Sequence, residues 1–244
     1  MNWNKSYNCP IDQEDQNWII NMLQWINDEM FDLTTKEVIL PTKQYFDHNF
    51  TGDISDAQYV LDSVGKYFDT DTSPIKLDFY SEEPLEIDRG LVTKKEKGTG
   101  SAAIYTQLDN EFYISINQAL LKKPVSLIAT MAHEISHYVL MGLNNIYTDS
   151  EEEDEWFTDL FTIANGFGIY MGNTKFHFSQ YSSGDGWGGW SYSIKGYLPQ
   201  QVIAYAMAEI EMLRNDDLPE YTKYLNGTFQ EDFKESMLYL MNEE

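Results

Sequence analysis

The chain has 244 residues, 42% of them hydrophobic and 15% aromatic, which is enough apolar material for one large domain or two small ones. Its 40 acidic against 16 basic residues give a formal charge of −24, which repels phosphates and argues against a nucleic-acid or anionic-membrane surface while allowing a cationic partner. The single cysteine, Cys9, excludes an internal disulfide and a cysteine-based metal cluster; with no apolar leader in MNWNKSYNCPIDQEDQ and no run of membrane-spanning length, a soluble cytoplasmic protein is expected.

From about Ile11 to Phe31, the residues Trp18, Ile19, Met22, Leu23, Ile26 and Met30 recur at helical spacing and predict a long amphipathic helix; Pro41 breaks the pattern. A second helix is predicted over Ser55 to Phe68, with Ser55 as N-cap and Ala57, Val60, Leu61, Val64 and Phe68 facing inward, closed by aspartates and Pro74. The character then changes. IKLDFY, GSAAIYTQL and EFYISINQAL are rich in β-branched and aromatic residues and read as short strands. In the last of them Phe112, Ile114 and Ile116 face one way and Tyr113 and Ser115 the other, the pattern of a strand covered on one side by helices.

After Pro124 the helical period returns and runs through VSLIATMAHEISHYVLM, with the proline placed at the helix start. The stretch YSSGDGWGGW, Tyr181 to Trp190, reads as a long loop, either a mobile lid or an ordinary connection held by its two tryptophans. LPQQVIAYAMAEIEML starts a further helix at Leu198, apolar almost all round and therefore buried. No internal repeat and no linker divide the chain.

Two of the four histidines lie in MAHEISHYVL. On a helix, positions i and i+4 share a face, so His133 and His137 can present imidazole nitrogens to one ion. Glu134 is rotated off that face but can lean over the ion's open position, take a proton from an activated water and pass it to a leaving amine. The competing reading is a pair of helix histidines without metal. Ile128, Ala129, Ala132, Ile135, Val139 and Leu140 make this helix substantially buried, where unpaired histidines are costly, and a metal accounts for them.

Zinc requires at least a third protein ligand. At this point the motif resembles the zincin metallopeptidases. The branch with a third histidine, HExxHxxGxxH, is disfavoured because the corresponding positions are Leu140 and Leu143. The gluzincin branch takes a glutamate from a following helix in an ExxxD context. Downstream, DSEEEDEWFTDLFTIANGFG begins with Ser150 and Glu153 in capping-box spacing, so a helix starts there, and Glu151 to Asp154 read as its solvated, dipole-matched first turn. Within it EWFTD resembles the ExxxD pattern. The resemblance implies Glu155 as third ligand and Asp159 as the group that accepts the other N–H of His133. Both border the apolar stripe of Trp156, Leu160, Ile163 and Phe167; a wheel count places Glu152 nearer still, so Glu152 stays open as the alternative ligand.

The resemblance spans His133 to Gly168. It implies an α+β, zincin-like fold with a small mixed sheet packed on the HExxH helix: residues 1–140 form an N-terminal α+β part ending in that helix, residues 141–244 a mainly helical part, and the two make one compact unit with the site in the cleft. It also implies an edge strand, GSAAIYT or EFYISIN, that pairs with extended peptide. An oxyanion donor would come from the C-terminal part, with His177 and Tyr197 as candidates and His48 a weaker one. The function implied is a peptidase using one Zn2+ ion on a peptide or protein substrate, with no nucleic-acid or membrane partner; the acidic surface leans toward basic peptides. The alternatives are a zinc-binding zincin-fold protein without peptidase activity, acting in sensing or partner binding, and an acidic interaction protein whose HExxH is fortuitous.

Overall fold

The computed structural model describes residues 8–81, 103–108, 111–142, 150–181, 197–214 and 217–243, with the side chains of 103–108, 151–152 and 175–181 left out. Among the described residues the fold is mixed α and β and mostly helical, with one small sheet. No helix among the described residues is long and apolar enough to cross a membrane. Contacts gather the chain into two compact units, one of Met1–Tyr45, Tyr147–Phe176 and Trp190–Glu244, the other of Phe46–Ile146 and His177–Gly189.

In the first unit, α1 (Gln13–Glu29) starts at Asp12, whose side chain accepts the Asp15 N–H, and buries Ile19, Leu23 and Ile26 as their spacing predicts. It lies along α4 (Glu151–Thr162) through aromatic contacts: Trp18 on Trp156, Trp25 on Phe157, and Phe31 just beyond α1 on Phe161, with ring centroids 6.2, 5.6 and 5.9 Å apart. Edge-on and tilted pairs of this kind add to the area they bury. A π-helical turn, Ile163–Phe167, joins α4 to α5 (Gly168–Tyr181). Within it Gly166 has φ +93°, and its carbonyl accepts the Ile39 N–H at 3.0 Å. Helix α6 (Gln200–Arg214) is buried nearly all round, as predicted, and packs on α7 (Gly227–Glu243), which buries Phe229, Phe233, Met237 and Leu240.

In the second unit, α2 (Ile54–Tyr67) buries Ala57, Val60, Leu61 and Val64. Its N-cap is Asp53 and not Ser55. The Asp56 carboxylate accepts N–H groups from Thr51, Gly52 and Asp53, which turns the chain into the helix before Ser55 is reached. Strands β1 (Ile75–Tyr80), β2 (Ala103–Leu108) and β3 (Glu111–Asn117) form a mixed sheet in the order β1-β3-β2, with β1 parallel and β2 antiparallel to β3. Ile114 and Ile116 are buried, and Phe112 meets Tyr138 of α3 (Pro124–Met141) edge-on at 4.9 Å. Because β3 is paired on both sides, EFYISIN is no longer a candidate for the peptide-pairing edge; β2, from GSAAIYT, is an edge strand among the described residues. The segment QAL does not continue β3: the Asn117 side chain accepts the Ala119 N–H and opens a 3-10 turn over Gln118–Lys122 that leads into Pro124.

Candidate metal centre

Helix α3 carries Pro124 in its first turn, where the missing N–H costs nothing, and is buried from Ser126 to Ser136. Its apolar surroundings enclose His133, which is 3% exposed, and Glu134, which is 4% exposed; His137 is half-buried. The two imidazoles meet at a ring-centroid distance of 4.7 Å and 85°, with the Nε2 atoms 3.1 Å apart. Two nitrogen lone pairs repel at that separation, so a proton or a cation has to lie between them. Tetrahedral zinc with Zn–N of about 2.0–2.1 Å sets its ligand nitrogens about 3.3 Å apart, close to the spacing present.

Helix α4 begins where the acidic run suggests: the Ser150 hydroxyl oxygen accepts the Glu153 N–H at 3.2 Å. Glu155, on α4, is half-buried. Two imidazole nitrogens of this kind suit zinc, which takes further nitrogen or oxygen ligands to complete its shell. The side chains of Glu152 and His177 lie outside the described residues, as does the loop from 182 to 196 that contains most of YSSGDGWGGW.

Asp159, one turn beyond Glu155, is fully buried, and its Oδ2 accepts the backbone N–H of Leu198 at 2.9 Å. Tyr197 is half-buried and immediately precedes that amide. His48 is hydrogen-bonded to Asp56, its Nε2 2.7 Å from Oδ1, and its ring stacks on Tyr59 at 4.1 Å. Burial and, after it, the charge of Glu134 hold the Tyr80 phenol above its ordinary pKa. No sequence pattern singled out that phenol, at the end of β1, among seventeen tyrosines.

Comparison with protein-family models, with curated proteins and with solved structures finds no match.

Proposed function

We propose that this protein is a zinc-dependent peptidase, a reading carried by the 3.1 Å approach of the His133 and His137 Nε2 atoms on the buried helix α3. His133 and His137 would supply the nitrogen ligands and Glu155 the oxygen ligand for one zinc ion. Bound there, zinc would supply the Lewis acidity that makes a water acidic and a carbonyl electrophilic at neutral pH. Glu134 takes the proton from the attacking water and returns it to the departing amine. The edge strand β2 offers main-chain N–H and C=O groups to an extended peptide, which makes a zincin-like arrangement of strand and helix the structural part of the same proposal. The single cysteine fits a reducing, cytoplasmic setting.

The test is metal analysis of the purified chain together with cleavage of a diverse peptide library. One zinc per chain is expected, with cleavage that falls about a hundredfold or more in Glu134→Gln while the zinc remains. Bound zinc with no cleavage in either protein would refute the peptidase reading and leave a metal-binding protein in sensing or partner recognition. A chain that binds no zinc would refute both.

A further inference from the structure

A half-buried tryptophan lays its ring on apolar neighbours and turns its indole N–H to a partner or to water. Trp18 of α1 and Trp156 of α4 do neither. Both side chains are half-buried, yet the Nε1 atom of each is out of solvent and meets no hydrogen-bond acceptor. A buried N–H without an acceptor is expensive, and native proteins keep few of them. Two such donors on rings in contact call for a shared cause.

The rings themselves supply half of an answer. They meet at a centroid distance of 6.2 Å and an angle of 79°, edge toward face. In a T-shaped pair only one ring presents its edge to the π face of the other, so an N–H set on that face accounts for one donor. The second donor is left over.

The chemistry of the seam selects the acceptor. A cation is excluded, because the positive ends of two N–H dipoles would face it. An anion is opposed by Glu14 and Asp15 on α1 and by Glu153 and Asp154 on α4, all within about a turn of the two tryptophans, and by the net charge of −24. A neutral oxygen remains. Water is the smallest, with two lone pairs for the two donors and two protons to give. Asp15 can take one of those protons: it stands one turn before Trp18, on the same face of α1. Its carboxylate is half-buried and accepts no hydrogen bond from a described residue. Burial, and after it the charges of Asp12 and Glu14, push its pKa up, as expected of an acid short of donors. Three bonds of this kind are the usual complement of an interior water.

We infer that the α1–α4 seam is a binding site for one interior water, which accepts the indole N–H groups of Trp18 and Trp156 and donates to the Asp15 carboxylate. The water adds polar contacts to a seam otherwise closed by ring pairs, Trp25 on Phe157 and Phe31 on Phe161. Neither the metal nor the peptidase reading enters this inference.

Cross-relaxation between water and the indole protons of the 15N-labelled full chain, without added metal, tests it. Both the Trp18 and the Trp156 indole protons should show cross-peaks of the sign that marks a water tumbling with the protein and not proton exchange. Asp15→Ala removes the water's acceptor and should weaken both cross-peaks about fivefold, the equivalent of one hydrogen bond, while the other tryptophans keep theirs. A cross-peak at neither indole, or at one alone, overturns the shared water. Cross-peaks that Asp15→Ala leaves unchanged overturn the role of Asp15, and indole resonances that both shift on titration with bromide put an anion in the seam and overturn the water. The wild-type spectra decide for or against the water by themselves if the variant does not fold.

Discussion

Asp56 carries the clearest quantitative expectation in the fold. The residue is 1% exposed, its Oδ2 accepts N–H groups from Thr51, Gly52 and Asp53 at 2.9, 2.7 and 3.2 Å, and its Oδ1 meets His48 Nε2 at 2.7 Å. Burial pushes its pKa up, but the bonds from His48, Gly52, Thr51 and Asp53 together outweigh that and leave it below the ordinary carboxylate value. Asp56→Ala strips an acceptor from those backbone donors. Each costs about 1 kcal/mol where water replaces the carboxylate and up to about 3 kcal/mol where it cannot, so a total loss of about 3–5 kcal/mol is expected. Asp56→Asn keeps one oxygen for the amides and should cost about 1 kcal/mol at neutral pH. A folded pKa below the unfolded one means the charge stabilises fully above the unfolded value, near 4, and that the benefit is lost as pH falls through the folded value. Urea unfolding at about pH 7 and about pH 3 should therefore show the gap between wild type and Asp56→Asn narrowing in acid, because asparagine has no proton to take up. A gap that stays constant between the two pH values, or an alanine variant within about 0.5 kcal/mol of wild type, would refute the reasoning.

Three further outcomes follow from the same contacts. Gly166→Ala would force a side chain into φ +93° and set its Cβ 2.1 Å from the Glu37 carbonyl oxygen, so thermal unfolding should show a loss of about 3–5 kcal/mol together with displacement of the Glu37–Ile39 segment. Arg214→Met removes the partner of the buried Glu211, 2.6 Å away, and the donor to the Leu33 and Lys36 carbonyls; denaturant curves should show about 3–5 kcal/mol lost, with Arg214→Met/Glu211→Leu recovering much of it. Zinc at about a hundred times its Kd should raise wild-type stability by about 2.7 kcal/mol in a thermal-shift assay, and His137→Ala should abolish that gain while leaving the metal-free stability within about 1 kcal/mol.

What the sequence disclosed was what its local chemistry decides. The spacing of Ile19, Leu23 and Ile26, the proline at the head of α3 and the serine before the acidic run each act within a turn or two of backbone, and each forms as its pattern implies. The Ser55 cap went the other way because Asp53 and Asp56, three residues apart, compete for the same turn and present a stronger acceptor. Helix α5 was not foreseen, since its two glycines, Gly168 and Gly172, read locally as punctuation. Gly172 sits inside α5 because a Cβ there would fall 1.9 Å from the Phe229 ring, and Gly168 because Met207 of α6 leaves no room for one. Those glycines are contact points between helices, and nothing local distinguishes them from loop residues.

The same division runs through the candidate site. HExxH is legible because its geometry is the geometry of one helix, and the 3.1 Å approach of the two imidazoles follows from i and i+4 spacing once the face is buried. Two pairings could not be read, because each joins residues of different elements or segments: Asp159 with the Leu198 amide, and Asp56 with His48. A backbone N–H leaves no trace in composition or period, so the acceptor role of Asp159 at Leu198 is invisible until the chain folds. EWFTD therefore argues for a carboxylate at position 159 without saying which donors it takes. The substitution that separates those donors is Asp159→Asn, since an amide keeps one acceptor oxygen and gives up the other.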